Sequence, residues 1–219
     1  MRFLDPDGML EELYIRGSEA EAATAELQKS TSLTLTRDEK TGKVSATGTA
    51  ETKEDKKLLK VINSTSVAVG ISAESTTTTD SQQLYVGGAF SGNALNGEDG
   101  DYSVSAKQEV NPGVLEKAST ANGKPGADML HEVTEAYEGG LISLKRGSSS
   151  PEAGQPGSAY NKAHRRATKQ SGDITETYYN SANKVVNADA DGNYPGATKA
   201  VWTVTDKDGI MHIIQTVGK

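Results

Sequence analysis

Asp128-Met129-Leu130-His131-Glu132-Val133-Thr134-Glu135-Ala136-Tyr137 is the stretch on which the reading of this chain turns. In a helix, at about 100° per residue, His131 and Glu135 lie roughly 40° apart and project from one face, with Glu132 on the flank. Met129, Leu130, Val133, Ala136 and Tyr137 fall on the other side. The pattern predicts an amphipathic helix docked by its apolar stripe, with an imidazole and a carboxylate together on the opposite face. Asp128 suits the start of that helix, and Gly139-Gly140 suits its end.

Composition narrows the chemistry. With 219 residues, the chain is long enough for one large domain or two small ones. Only 34% of residues are hydrophobic and 5% aromatic, so short strands, long loops and a modest core are expected. The net charge of −7 and the scatter of Lys and Arg disfavour a nucleic-acid partner, which requires clustered cations. There is no Cys, so a disulfide framework and a thiolate metal site are both excluded, and a transition metal must be held by His, Asp, Glu or carbonyl oxygen. The chain has 3 His, and these become the candidates. No signal peptide is visible, no stretch approaches the roughly 20 apolar residues of a membrane span, and Met1 is either a cytoplasmic start or an artificial one.

Outward from the central stretch, the chain reads as follows. Glu11 to Lys29 suits a peripheral helix capped by Ser18. Leu33 to Thr36 and Lys43 to Gly48 alternate around Asp38 to Gly42 as a hairpin. Thr52 with Asp55 forms a capping-box variant for a helix from Lys53 to Asn63. Strands are expected over Val67 to Ala73, Leu84 to Phe90 and Tyr102 to Val110, the last broken by Asn111-Pro112-Gly113. The Gly87 to Gly92 run is no phosphate loop, because no Lys-Ser/Thr pair follows. Ala118 to Gly126 reads as a loop, Leu141 to Leu144 as a short apolar run, and Gly147 to Gly157 as a loop that frames a site. Ser158 caps a second helix over Ala159 to Thr168, closed by Gly172, and this helix carries His164. A strand over Thr175 to Tyr179, a turn at Asp189 to Gly192, and a hairpin of Ala200 to Thr205 with Ile210 to Val217 complete the chain. Asn187 to Gly192 matches the opening of a calcium loop, but Thr198 stands where a bidentate Glu is required, so it reads as a turn.

The expected fold class is α+β, with a β-rich N-terminal half, a central helix pair and a C-terminal β-hairpin. Residues 1–30 are expected as linker and peripheral helix, and residues 31–219 as a single domain whose second half, from residue 116, carries the site.

Two short segments resemble known families. His131-Glu132-Val133-Thr134-Glu135 resembles the active-site helix of zincin metallopeptidases, where His-Glu-x-x-His supplies two zinc ligands and a general base. Here Glu135 stands in place of the second His. Arg2-Phe3-Leu4-Asp5-Pro6-Asp7-Gly8 resembles the closing segment of an Rhs/YD-repeat core, which is followed by a variable and often toxic C-terminal domain. Together the resemblances imply a zinc-dependent peptidase toxin, delivered to the cell surface or outside as the end of a larger protein. They further imply a protein or peptide substrate and a cognate immunity protein. His131, Glu135 and His164 form a two-His, one-carboxylate set for zinc, Glu132 takes the general-base role, and Glu138 is an alternative to Glu135. Tyr178, Tyr179 and His212 are candidate oxyanion donors. The competing reading is a secreted or surface interaction module without enzymatic activity, in which the helix is purely structural.

Overall fold

Val67, Val69, Ile71 and Ala73 alternate with smaller and polar residues, and every one of the four is buried in a strand flanked by others of the same pattern. The computed structural model describes residues 12–98, 101–189 and 194–218. Its elements run β1 (Leu13–Arg16), α1 (Ala20–Gln28), β2 (Thr34–Arg37), β3 (Lys43–Thr47), α2 (Lys53–Ile62), β4 (Val67–Ala73), β5 (Gly88–Asn96), β6 (Ser103–Val110), α3 (Pro112–Ala121), α4 (Ala127–Arg146), α5 (Tyr160–Arg166), β7 (Thr175–Tyr179), β8 (Val185–Val186), β9 (Lys199–Thr205) and β10 (Met211–Gly218). The class is α+β.

β1 to β6 form one mixed sheet in the order β2-β3-β1-β4-β6-β5, with β1, β4 and β6 mutually parallel. The second sheet is antiparallel, in the order β10-β9-β7-β8, so the C-terminal hairpin stands as expected. The inward rows of β1, β4 and β6 (Leu13, Ile15, Val67, Val69, Ile71, Val104, Ala106 and Val110) meet α1, α2 and α4 in one apolar cluster. A smaller cluster joins Val114 and Ala118 of α3 to Trp202, Val204 and Ile214 of the second sheet.

α4 is the centre of this arrangement and differs from its expected form. It runs 20 residues and passes straight through Gly139-Gly140 to end at Gly147, whose φ of 67° provides the left-handed stop. The paired glycines are close-approach sites. A Cβ on Gly139 would lie 2.4 Å from the Phe90 ring, and one on Gly140 would lie 2.4 Å from Val67 Cγ1. Nor does Asp128 cap the helix: Gly126 does, and the Asp128 carboxylate instead accepts hydrogen bonds from Ser119 and Ser171. There is no wet face either. Asp128, His131, Glu132, Thr134 and Glu135 are as buried as Met129 and Val133.

Further corrections are local. Residues 13–16 are a strand inside the larger sheet, because Leu13 and Ile15 alternate inward; helix begins only at Ala20, and the Ser18 hydroxyl bonds Glu74 at 2.5 Å. This segment is therefore core and not a peripheral linker. Pro112 does break β6, but it also starts α3, with Asn111 as the N-cap, so residues 118–121 are helical where a loop is expected. Residues 141–144 belong to α4, and α5 ends at Arg166, well before Gly172. The Asp-Pro-Asp-Gly segment and most of the Asp189 to Gly192 turn lie outside the described residues.

The Thr52/Asp55 box forms as expected, and it does more than cap α2. The Asp55 carboxylate accepts hydrogen bonds from Thr31 and Ser32 as well as from the backbone of Thr52, at 2.5 to 3.0 Å. Burial works against its ionised form, but these donors prevail and hold its pKa well below the usual 3.8. Asp55→Ala is therefore expected to cost about 3 kcal/mol, measured by denaturant unfolding. Because the folded pKa is depressed, the Asp55 contribution is complete above the unfolded value of 3.8 and declines as pH falls below it. The difference between wild type and variant should shrink in that acid range. Gly140→Ala gains about 1 kcal/mol of helix propensity but drives a methyl group into buried Val67, so a net loss of about 1–3 kcal/mol is expected. A more stable variant would show that α4 is free to move off the sheet.

Candidate metal centre

His131 and Glu135 are one turn apart on α4, and both point away from the apolar cluster towards α5. The loop after α4 brings α5 back. Ser150 pairs with Asn93 of β5, Ala153 N–H donates to the Phe90 carbonyl at 2.9 Å, and Arg146 donates to the carbonyls of Ser148, Ser149 and Gly157. On α5, Ala163 packs where Gly139 has no side chain, and Tyr160 tilts between Phe90 and His164. His164 is thereby set against the first helix.

Three donor atoms converge. His131 Nε2 lies 3.1 Å from His164 Nδ1 and 3.4 Å from Glu135 Oε2, and His164 Nδ1 lies 2.6 Å from the same oxygen. A tetrahedral ion with bonds of about 2.0–2.1 Å holds its ligand atoms about 3.3 Å apart, so the triangle accepts one with small adjustments. His131, Glu135 and His164 can thus hold a metal ion. The alternative occupant is a single proton on His164 Nδ1, which would serve both acceptors.

The surroundings are arranged as those of a ligand set. His131 Nδ1–H donates to the Thr168 carbonyl at 2.5 Å, which leaves Nε2 as the lone-pair nitrogen facing the triangle. Gln108 donates from its amide nitrogen to Glu135 Oε1 at 3.1 Å and to Glu132. Glu135 is therefore divided, with Oε1 tied to the sheet and Oε2 turned to the imidazoles. Burial opposes protonation of His131, while Glu135, Glu132 and the Thr168 carbonyl favour it and leave its pKa raised. Burial, with the repulsion of Glu135, pushes Glu132 up to about 8, against the pull of His131 and Gln108. A bound cation would lower that value.

Glu132 and Glu135 share Gln108 as a donor. Glu132 projects under β5, where a Cβ on Gly88 would lie 2.0 Å from its carboxyl carbon, so a side chain at position 88 would displace that carboxylate. Glu138, the alternative ligand, instead pairs with Lys57 at 3.3 Å and stands apart from the cluster. His212 bonds Asp206 at 2.7 Å on the C-terminal hairpin, and Tyr178 stacks on Tyr194 at 3.8 Å.

Gln108, Thr168, Gly88 and Tyr160 have no place in the sequence reading of the site. Gln108 had a signal: it is the one polar residue in the inward row Val104-Ala106-Gln108-Val110. Thr168 acts through its backbone, which side-chain motifs do not report. Among protein-family models, curated proteins and solved structures, the chain has no match.

Gln108→Leu removes the donor that fixes Glu135 while keeping a side chain of similar volume. Metal affinity, titrated with zinc against a chromophoric chelator, is expected to fall about 10–100-fold. An unchanged affinity would separate Gln108 from the ligand set.

Proposed function

We propose that the chain holds one zinc ion on His131, Glu135 and His164 and hydrolyses peptide bonds, as the toxin-like C-terminal part of a larger secreted or surface-delivered protein. The observation that carries this reading is the convergence of three donor atoms, two of them almost fully buried, with His131 and Glu135 each fixed by a second hydrogen bond. A chain without Cys leaves nitrogen and oxygen donors, and two imidazoles with one carboxylate suit zinc with a position left open for water. His164, about a third exposed, is the side from which solvent and substrate reach the cluster.

When bound, the ion would acidify a water molecule and polarise a carbonyl oxygen. The protein supplies the rest. Glu135 offers one oxygen to the cluster because Gln108 holds the other. Glu132 lies on the neighbouring turn position in a buried pocket made by Gly88, and its role is to take a proton and pass it to the leaving amine. The Tyr160 ring lies against His164, and its pKa is raised by burial and by the charges of Glu135 and Glu132. Its hydroxyl is the candidate to donate to a developing oxyanion, in place of Tyr178, Tyr179 and His212. The immunity partner and the upstream Rhs-type core belong to the same proposal and rest on the sequence resemblance.

The test begins with the metal. Elemental analysis of purified protein should find one zinc per chain, and zinc added to stripped protein should raise the melting temperature. Absence of both would sink the metal reading and leave a buried hydrogen-bonded cluster in an interaction module. Iron in place of zinc would also redirect the chemistry, since the same ligand set serves oxygen-activating iron. Glu132→Gln should retain zinc and fold while peptide hydrolysis falls at least about 100-fold, measured on a casein digest.

A further inference from the structure

The chain has a net charge of −7, yet Lys53, Lys57, Lys124 and Lys169 surround one cleft of about 490 Å³. Glu54 is the one acidic side chain that lines it. Lys57 and Lys124 are held in place by the protein: Lys57 bonds the Arg166 carbonyl and Glu138, and Lys124 donates to the Ser171 carbonyl at 2.7 Å. Among the described residues neither Lys53 nor Lys169 forms an ion pair, and both are exposed. With Lys57 paired to Glu138, the charges of Lys53, Lys124 and Lys169 face Glu54 alone across one concavity, and an anionic ligand between them relieves their mutual repulsion. The volume falls within the roughly 300–1,000 Å³ of ordinary ligand sites, and Leu130 and Ala167 add apolar lining.

The cleft and the metal centre share a wall. Thr168 lines the cleft, and its carbonyl holds His131 Nδ1 at 2.5 Å. Leu130, also in the lining, directly precedes His131 on α4. None of His131, Glu135 and His164 lines the cleft itself, so the two sites are neighbours divided by Leu130 and Thr168.

Two features select the kind of anion. The cations are lysines, flexible point charges that can follow carboxylates spaced along an extended chain and do not impose the fixed bidentate geometry of an arginine fork on either a carboxylate or a phosphate. The acidic balance of the whole chain disfavours any polyanion that extends far beyond the cleft, as a nucleic acid would. We propose that the cleft binds a short acidic peptide segment through its carboxylates, and that this makes acidic sequences the preferred substrates of the adjacent centre. The second clause rests on the proposed peptidase function. The first does not.

Calorimetric titration of the full chain with hexaglutamate, with and without zinc, tests both. Binding is expected in either state, weakening as salt rises from 20 to about 200 mM, with no binding of hexaserine. The double substitution Lys53→Glu and Lys169→Glu, on two exposed side chains, should weaken hexaglutamate at least about tenfold at an unchanged melting temperature. Equal binding of hexaglutamate and hexaserine, or equal affinity of wild type and double variant, overturns the cleft assignment. Displacement of hexaglutamate by equimolar inorganic phosphate also overturns it, in favour of a small-anion site. If acidic peptides bind but are cleaved no faster than neutral ones, the link to the metal centre fails and the cleft stands. If zinc does not bind, the peptidase reading fails and the titration without zinc still decides the cleft.

Discussion

Everything near the centre of this molecule follows from one constraint: α4 is buried on both sides while carrying Asp128, His131, Glu132, Thr134 and Glu135. A buried polar or charged group without a partner costs several kcal/mol, so each of these must be answered from a neighbouring element. Ser119 and Ser171 answer Asp128. Thr168 answers Thr134, whose hydroxyl also donates to the Leu130 carbonyl within α4. The Thr168 carbonyl answers His131, and Gln108 answers both glutamates. The segment that follows α5 is thus pinned along α4 by residues 168 and 171, and that pinning places His164.

Glycines let these layers approach so closely. Gly139 admits the Phe90 ring and the Ala163 methyl group of α5, Gly140 admits Val67, and Gly88 admits the Glu132 carboxyl group. In a solvated helix the glycine pair would be a weak point, and in a strand Gly88 would be a defect. Here each replaces a side chain that would push the helix off the sheet and open the cluster. The cluster's electrostatics depend on that closeness, because two carboxylates and the His131 imidazole held dry beside the partly exposed His164 interact strongly and need a proton or a cation among them.

Charge is distributed with the same economy. The centre gathers acidic groups, while one side of the Ala167 to Gln170 segment gathers lysines. Thr168 stands between the two and touches both. A backbone carbonyl is a good bridge for this purpose, because it has no rotamer to lose and moves only with the chain.

Much of this was legible in the residues themselves. Periodicity fixed α2, β4, β6, the α4 core and the C-terminal hairpin, since alternation and helical spacing are local properties that burial only confirms. The choice of His131, Glu135 and His164 also followed from sequence, because a chain with 3 His and no Cys has few ways to hold a metal. Tertiary structure alone decided the rest. It turned Leu13 to Arg16 into an inner strand, carried α4 past its glycines, removed the solvent face expected for that helix, and recruited Gln108, Gly88 and the Thr168 carbonyl. Those outcomes depend on what lies opposite in space. A glycine reads as a stop or as a contact only once its neighbour is present, and a backbone carbonyl carries no signature in the sequence at all.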